Sequence, residues 1–142
     1  MLIGEFRTKL GEKNRIAVPK KFRAEIGNNL IVTQGYEQCL VIVSQSQWKE
    51  LVGELEQLPF TNNVLRDTAR FLIGGAVEAD LDGQGRFVLP ENLREFAGIS
   101  DEVVFLGLAR WVEIWDKNKW VERRDYLYQN SAQIAEKLNG IS

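Results

Sequence analysis

The sequence contains no histidine, one cysteine, one methionine and three prolines among its 142 residues. Without histidine the chain lacks the usual general base near neutral pH, the Ser/His and Cys/His couples, and the commonest zinc ligand. A lone cysteine cannot close an internal disulfide, which agrees with a reducing compartment, and Cys39 reads as a small buried hydrophobe rather than a nucleophile. No apolar run approaches the roughly 18 residues of a membrane span. The segment MLIGEFRTKLGEKNR also lacks the basic-then-apolar order of a signal peptide. A cytoplasmic protein without a membrane partner is therefore expected. Carboxylates are plentiful, yet no pair sits in a motif that would support acid/base catalysis, and the glycines at 83–85 lack the lysine and following helix of a phosphate loop. No enzyme, metal or cofactor is expected.

What the chain does have is a core and a divided charge. At 44% hydrophobic residues it can fill one domain or two small halves. The net charge of −2 conceals an asymmetry: residues 1–28 carry seven cations against three carboxylates, so the remainder is acidic. Charge is felt over only about 8 Å at physiological salt, so a basic amino-terminal face on an acidic body can still attract phosphate locally.

The chain also repeats itself. The stretch 10-LGEKNRIAVPKKFR-23 lies over 81-LDGQGRFVLPENLR-94, with Leu10, Arg15, Pro19, Arg23 and Gly27 matching Leu81, Arg86, Pro90, Arg94 and Gly98. After a one-residue insertion, 35-GYEQCLVIVSQSQW-48 lies over 107-GLARWVEIWDKNKW-120. Each copy reads as strand, turn, strand, short helix, strand, turn, strand, longer helix. The first copy's strands are expected near 5–10, 15–18, 29–33 and 40–43, all rich in β-branched or aromatic residues. Pro19 and Pro90 suit the first position of the short helices, and Gly27 and Gly98 suit their C-caps. Ser44 with Gln47, and Asp116, open the longer helices. A connecting helix is expected from about Asn62 to Ile73, and a final short helix around Ile134 and Leu138. The boundaries are thus 1–58 for the first repeat, 59–75 for the connecting helix, 76–129 for the second repeat and 130–142 for the tail, all in one integrated domain. Four short strands and one helix bury little alone, so the copies are expected to pair about a pseudo-twofold axis and share one core.

The turns carry the chemistry. In Asp82-Gly83-Gln84-Gly85-Arg86 the glycines allow a tight reversal, Asp82 can accept hydrogen bonds from turn amides, and Arg86 leaves the turn at the start of a strand. A single such corner is ordinarily just a solvated bend. Here the arginine recurs in register while its flanks differ, LGEKN against LDGQG. The first corner adds Lys13 within the turn and Lys9 before it. Arginine suits phosphate and guanine edges because its planar fork donates two parallel hydrogen bonds. Two such corners about a twofold axis match the symmetry of duplex DNA.

The doubled pattern, each copy with a turn arginine entering a strand and a Pro-led helix ending in arginine, resembles the MraZ family. The resemblance spans nearly the whole chain, from 4-GEFRTKL-10 to WDKNKW. It implies an α+β fold, an internally duplicated, swapped-hairpin AbrB-like β-barrel with flanking helices. It also implies a nucleoid-associated DNA-binding transcription regulator that forms a homo-oligomeric ring and acts on repeated promoter sites of the division and cell-wall gene cluster. Asp82 and Arg86 carry over from the family's Asp-x-x-x-Arg motif. In the first copy only Arg15 does, because Gly11 stands where the aspartate would be. Expected DNA contacts are Lys13, Arg15, Arg86 and Lys9, with Asp82 bracing its turn. Arg23 and Arg94 are further candidates for DNA contact, but each sits where a cation also suits a helix end, and the four tryptophans fit packing better than base stacking. The alternative function is a ring-forming scaffold that binds protein partners and touches nucleic acid incidentally.

Overall fold

The computed structural model of the chain describes residues 1–141. The first copy forms β1 (Leu2–Lys9), β2 (Arg15–Ala17), α1 (Lys20–Ile26), β3 (Asn29–Gln34), β4 (Leu40–Ser44) and α2 (Gln45–Glu56). After α3 (Asn63–Leu72), the second copy repeats the order as β5 (Val77–Asp80), β6 (Arg86–Val88), α4 (Glu91–Ala97), β7 (Glu102–Ala109), β8 (Val112–Asp116) and α5 (Lys117–Glu136).

Local chemistry explains most boundaries. The Ser44 hydroxyl accepts from the Gln47 amide, the Asn62 side chain from Val64 and Leu65, and the Asp116 carboxylate from Lys119, so α2, α3 and α5 each start on a side-chain cap. Pro19 and Pro90 sit one residue earlier than expected, at the N-caps with extended ψ, rather than inside the first turn. Gly98 takes the left-handed C-cap, whereas Gly27 has positive φ but extended ψ and leads straight into β3. The tail forms no separate helix. With neither glycine nor proline between Lys117 and Asn139, α5 runs unbroken to Glu136 and ends in a 3-10 turn at Lys137–Gly140.

Within each copy only the third and fourth strands pair, β3 with β4 and β7 with β8, and the remaining pairings join one copy to the other. One antiparallel sheet has the order β1-β7-β8-β4-β3-β5, and a second contains only β2 and β6. Exchanging every element with its repeat counterpart reverses the first order onto itself, the signature of a pseudo-twofold axis running between β4 and β8. Each copy's first strand lies on the other copy's third: Phe6 opposite Phe105, and Leu30 opposite Ala79. Strands β1 and β5 remain as edges, so the ladder does not close into the expected barrel. The shared core is as expected. Ile16, Phe22, Leu30 and Ile42 from one copy pack with Phe87, Leu93, Phe105 and Ile114 from the other in one apolar cluster. Phe22, fully buried and edge-on to Phe6 at 5.0 Å, is one of its anchors, and truncating it to alanine is expected to cost about 3–5 kcal/mol.

A smaller cluster lies between α5 and the large sheet. Trp115 and Trp120 stack at a tilt with centroids 5.5 Å apart, beside Cys39 and Val104. Their indole N–H groups donate to Glu113 and Glu5, each at 2.9 Å. Cys39 is wholly buried, and that burial, with Glu113 and Glu37 nearby, pushes its thiol far above the ordinary range, so it is inert packing. No helix among the described residues is long and apolar enough to cross a membrane.

Candidate nucleic-acid interface

The two-stranded sheet brings the duplicated corners together. In its register Arg15 faces Val88, Ile16 faces Phe87 and Ala17 faces Arg86. Cross-strand partners point to the same side and successive residues to opposite sides. Ile16 and Phe87 therefore point inward, where both are buried, while Arg15, Ala17, Arg86 and Val88 form the outer face. Arg15 and Arg86 occupy diagonal positions on that face, about 7–8 Å apart at the backbone. The pseudo-twofold passes through the Ile16–Phe87 pair, so the arginines are equivalent by symmetry.

The turns behind them share one backbone plan. In the second copy the Asp82 amide donates to the Arg86 carbonyl at 2.9 Å, and in the first the Gly11 amide donates to Arg15 at 2.8 Å. Each turn is then gripped by the other copy: Val18 donates to the Gly85 carbonyl at 2.9 Å, and Leu89 to that of Asn14 at 2.8 Å. Left-handed backbone is needed where the turns reverse. Gly85 supplies it at φ 75°, and in the first copy Lys13 and Asn14 adopt φ 57° and 59°.

Side-chain chemistry separates the two. Asp82 Oδ1 accepts from the amides of Gln84 and Arg86 at 2.8 and 2.9 Å, and Oδ2 accepts from Arg86 Nε at 3.1 Å. The hydrogen bond from the Arg86 amide is the largest of the effects that hold this carboxyl below the usual aspartate range. The Asp82–Arg86 pair is exposed, at 41% and 38% of the side chains, so it orients the guanidinium without locking it, and the terminal nitrogens stay available. Arg15 makes no ion pair among the described residues, because Gly11 offers no carboxylate. Lys13 is exposed in the same turn. Lys9 lies apart from this ribbon, at the end of β1 opposite Glu102 on the large sheet.

Two further arginines pack on the turns. An added Cβ on Gly85 would come within 2.1 Å of Arg23 Nη1, so the Arg23 guanidinium lies directly against the second copy's turn. Arg94 donates to Glu91 at 3.2 Å, and Glu91 also accepts from Asn14 in the first copy's turn at 3.2 Å. From the sequence both arginines read either as DNA contacts or as helix-end cations, and neither reading includes packing on a turn. Their packing across the copies depends on the strand exchange, which three-residue strands do not announce.

Comparison with known proteins matches this duplication. A family model described as "MraZ protein, putative antitoxin-like" matches twice, over residues 1–71 and 72–139. Among similar proteins, one from Syntrophomonas wolfei named transcriptional regulator MraZ is 43% identical over 97% of this chain and 96% of its own length. One of the same name from Clostridium acetobutylicum is 44% identical over 98% and 97%. Another from Thermoanaerobacter pseudethanolicus is 38% identical over 100% and 99%. Two successive matches that follow the two structural copies, together with full-length relatives, show that the chain belongs to the MraZ family.

Proposed function

We propose that this chain is a sequence-specific, duplex-DNA-binding transcriptional regulator whose β2–β6 ribbon enters the major groove. The observation that carries the reading is the outer face of that ribbon, where Arg15 and Arg86 stand side by side about a twofold axis. A two-stranded ribbon fits the B-DNA major groove, and an arginine fork matches the guanine edge there. Lys13 adds charge at the first corner, and Lys9, farther away, is assigned a phosphate contact. The relatives' name, transcriptional regulator, supports the same role and no catalytic one.

Each subunit offers few cations, so affinity is expected from several subunits engaging repeated sites at once. A homo-oligomeric ring acting in the cytoplasm, on nucleoid DNA at promoter repeats of the division and cell-wall gene cluster, is the corresponding assembly and target. The test is a fluorescence-anisotropy titration of duplex from upstream of the protein's own gene, against scrambled duplex, at several salt concentrations. Strong sequence preference, a steep fall in affinity with salt, and a loss of at least about tenfold in Arg15→Ala with folding intact are expected. Equal binding to both duplexes, or an unaffected Arg15→Ala, overturns the reading.

One observation favours the scaffold alternative. An apolar groove of about 400 Å³ between α2 and α3, lined by Val52, Leu55, Phe60, Leu65 and Ile73, leaves Phe60 largely exposed. Flat, weak, sequence-indifferent DNA binding would select a partner-binding scaffold.

A further inference from the structure

The helices that grip the two turns carry opposite charge. Helix α4, on the first copy's turn, reads ENLREFA, one cation against two carboxylates, and its arginine is held by Glu91 at 3.2 Å. Helix α1, on the second copy's turn, reads KKFRAEI, three cations against one carboxylate. That carboxylate, Glu25, pairs with the Met1 amine. Lys20 stands where α4 has Glu91, so Arg23 has no counterpart of the Arg94–Glu91 pair. Among the described residues Lys20, Lys21 and Arg23 make no ion pair, and both lysines are exposed.

Arg23 is also held in place. Its guanidinium lies on Gly85, and its Nε, like that of Arg94, is buried without a hydrogen-bond partner. Packing here fixes the position of a positive charge one residue from Arg86, where a flexible lysine would sweep through solvent.

Resting on the DNA-binding reading above, we infer that Lys20, Lys21 and Arg23 form a phosphate-binding patch that anchors the second copy's turn to the DNA backbone. The two corners then divide the work. The first carries its own free cations, Arg15 and Lys13. The second holds a braced Arg86 and draws backbone contact from the other copy's helix. Lysines flanking the ribbon are placed for phosphates rather than base edges, so they set affinity and register without reading sequence.

The experiment compares full-length wild type with Lys20→Gln/Lys21→Gln and with Lys49→Gln/Lys137→Gln, an equal charge change at exposed positions elsewhere. Glutamine keeps the helix propensity of lysine, and circular dichroism checks the fold. Anisotropy titrations of the promoter duplex and a scrambled duplex over a potassium chloride series give the slope of log affinity against log salt. Each phosphate contact contributes about 0.9 to that slope. The expected result is a slope shallower by about 2 per engaged subunit for Lys20→Gln/Lys21→Gln, an unchanged ratio of promoter to scrambled affinity, and a wild-type slope for the control. An unchanged slope in the first variant, or equal flattening in both, overturns the patch while leaving the regulator reading intact. Wild type with neither preference nor salt dependence removes both.

Discussion

The two corners of the ribbon share a backbone plan, yet one rests on a carboxylate and the other does not. Asp82 accepts from three donors of its own turn, the Gln84 and Arg86 amides and Arg86 Nε, and so orients the Arg86 fork. At the symmetric position Gly11 ties none, and the first turn relies on left-handed Lys13 and Asn14 with the grip of Leu89. The difference teaches that turn geometry and arginine orientation are separable. Backbone pairing across the copies places both arginines on one face, and the carboxylate adds only orientation to one of them. The largest expected effect exploits this. Arg86→Ala removes a base-reading fork and also leaves Asp82 as an unpaired negative charge facing phosphate, so a loss of DNA affinity of about a hundredfold is expected. Arg15→Ala removes a fork alone, for about tenfold. Adding Asp82→Asn to Arg86→Ala should recover part of the loss in a binding titration. Equal losses for the two arginines, with no recovery, would erase the distinction.

The next effect concerns stability. Gly85 is the point where α1 of the first copy lies on the turn of the second, and Gly85→Ala meets two penalties. A side chain at φ 75° costs about 1–2 kcal/mol, and the Cβ would also displace Arg23. The counterpart Asn14→Ala starts from a residue already holding φ 59° and loses one exposed hydrogen bond to Glu91, so less than about 1 kcal/mol is expected. Urea midpoints at constant m-value measure both, and a tolerated Gly85→Ala would show that the grip is loose.

The sequence carried the repeat and the order of elements, because both follow from local spacing: arginine, proline and glycine at matching positions in the two copies, and Ser44 and Asp116 before apolar faces. It also carried Arg15 and Arg86 as a pair, since the internal comparison aligns them. Strand exchange was less legible. Residues 15–17 and 86–88 pair as readily with a neighbouring strand as with each other on propensity alone, and only burial of Ile16 against Phe87 decides. The grip of Arg23 on Gly85 depends on that choice, so it lay beyond reach. The contrast between KKFR and ENLR was present in the alignment, but its meaning appeared only once the helices were seen to pack on opposite turns. The open edges at β1 and β5 also could not be anticipated, because ladder closure depends on twist and stagger that periodicity does not encode.

A smaller effect comes from giving the first corner what the second has. Gly11→Asp supplies a carboxylate at the position equivalent to Asp82, and Gly11 has ordinary negative φ with extended ψ, so the backbone admits it. The added Cβ would stand 3.3 Å from the Arg15 carbonyl, a tight but adjustable contact. The new charge should engage Arg15 as Asp82 engages Arg86 and compete with phosphate, lowering DNA affinity by about two- to fivefold at low salt and less at high salt. A gain in affinity would mean that orientation of the guanidinium outweighs its freedom.

The smallest expected effect is with pH. Asp82 titrates below the ordinary aspartate range because hydrogen bonds from its own turn, led by the Arg86 amide, favour the carboxylate. Its contribution to the turn is therefore fully present above the unfolded-state value and is lost only as the pH falls through the lower folded value, well into acid. The chain has no histidine, and the Cys39 thiol is pushed upward by burial, so neither titrates between acid and mild alkali. At constant ionic strength DNA affinity should change by less than about twofold from about pH 5.5 to 8, for wild type and for Gly11→Asp alike. A strong dependence confined to wild type would place the titrating group at the first corner, where Gly11 provides none, and would require a proton-sensitive contact from the DNA or a neighbouring subunit.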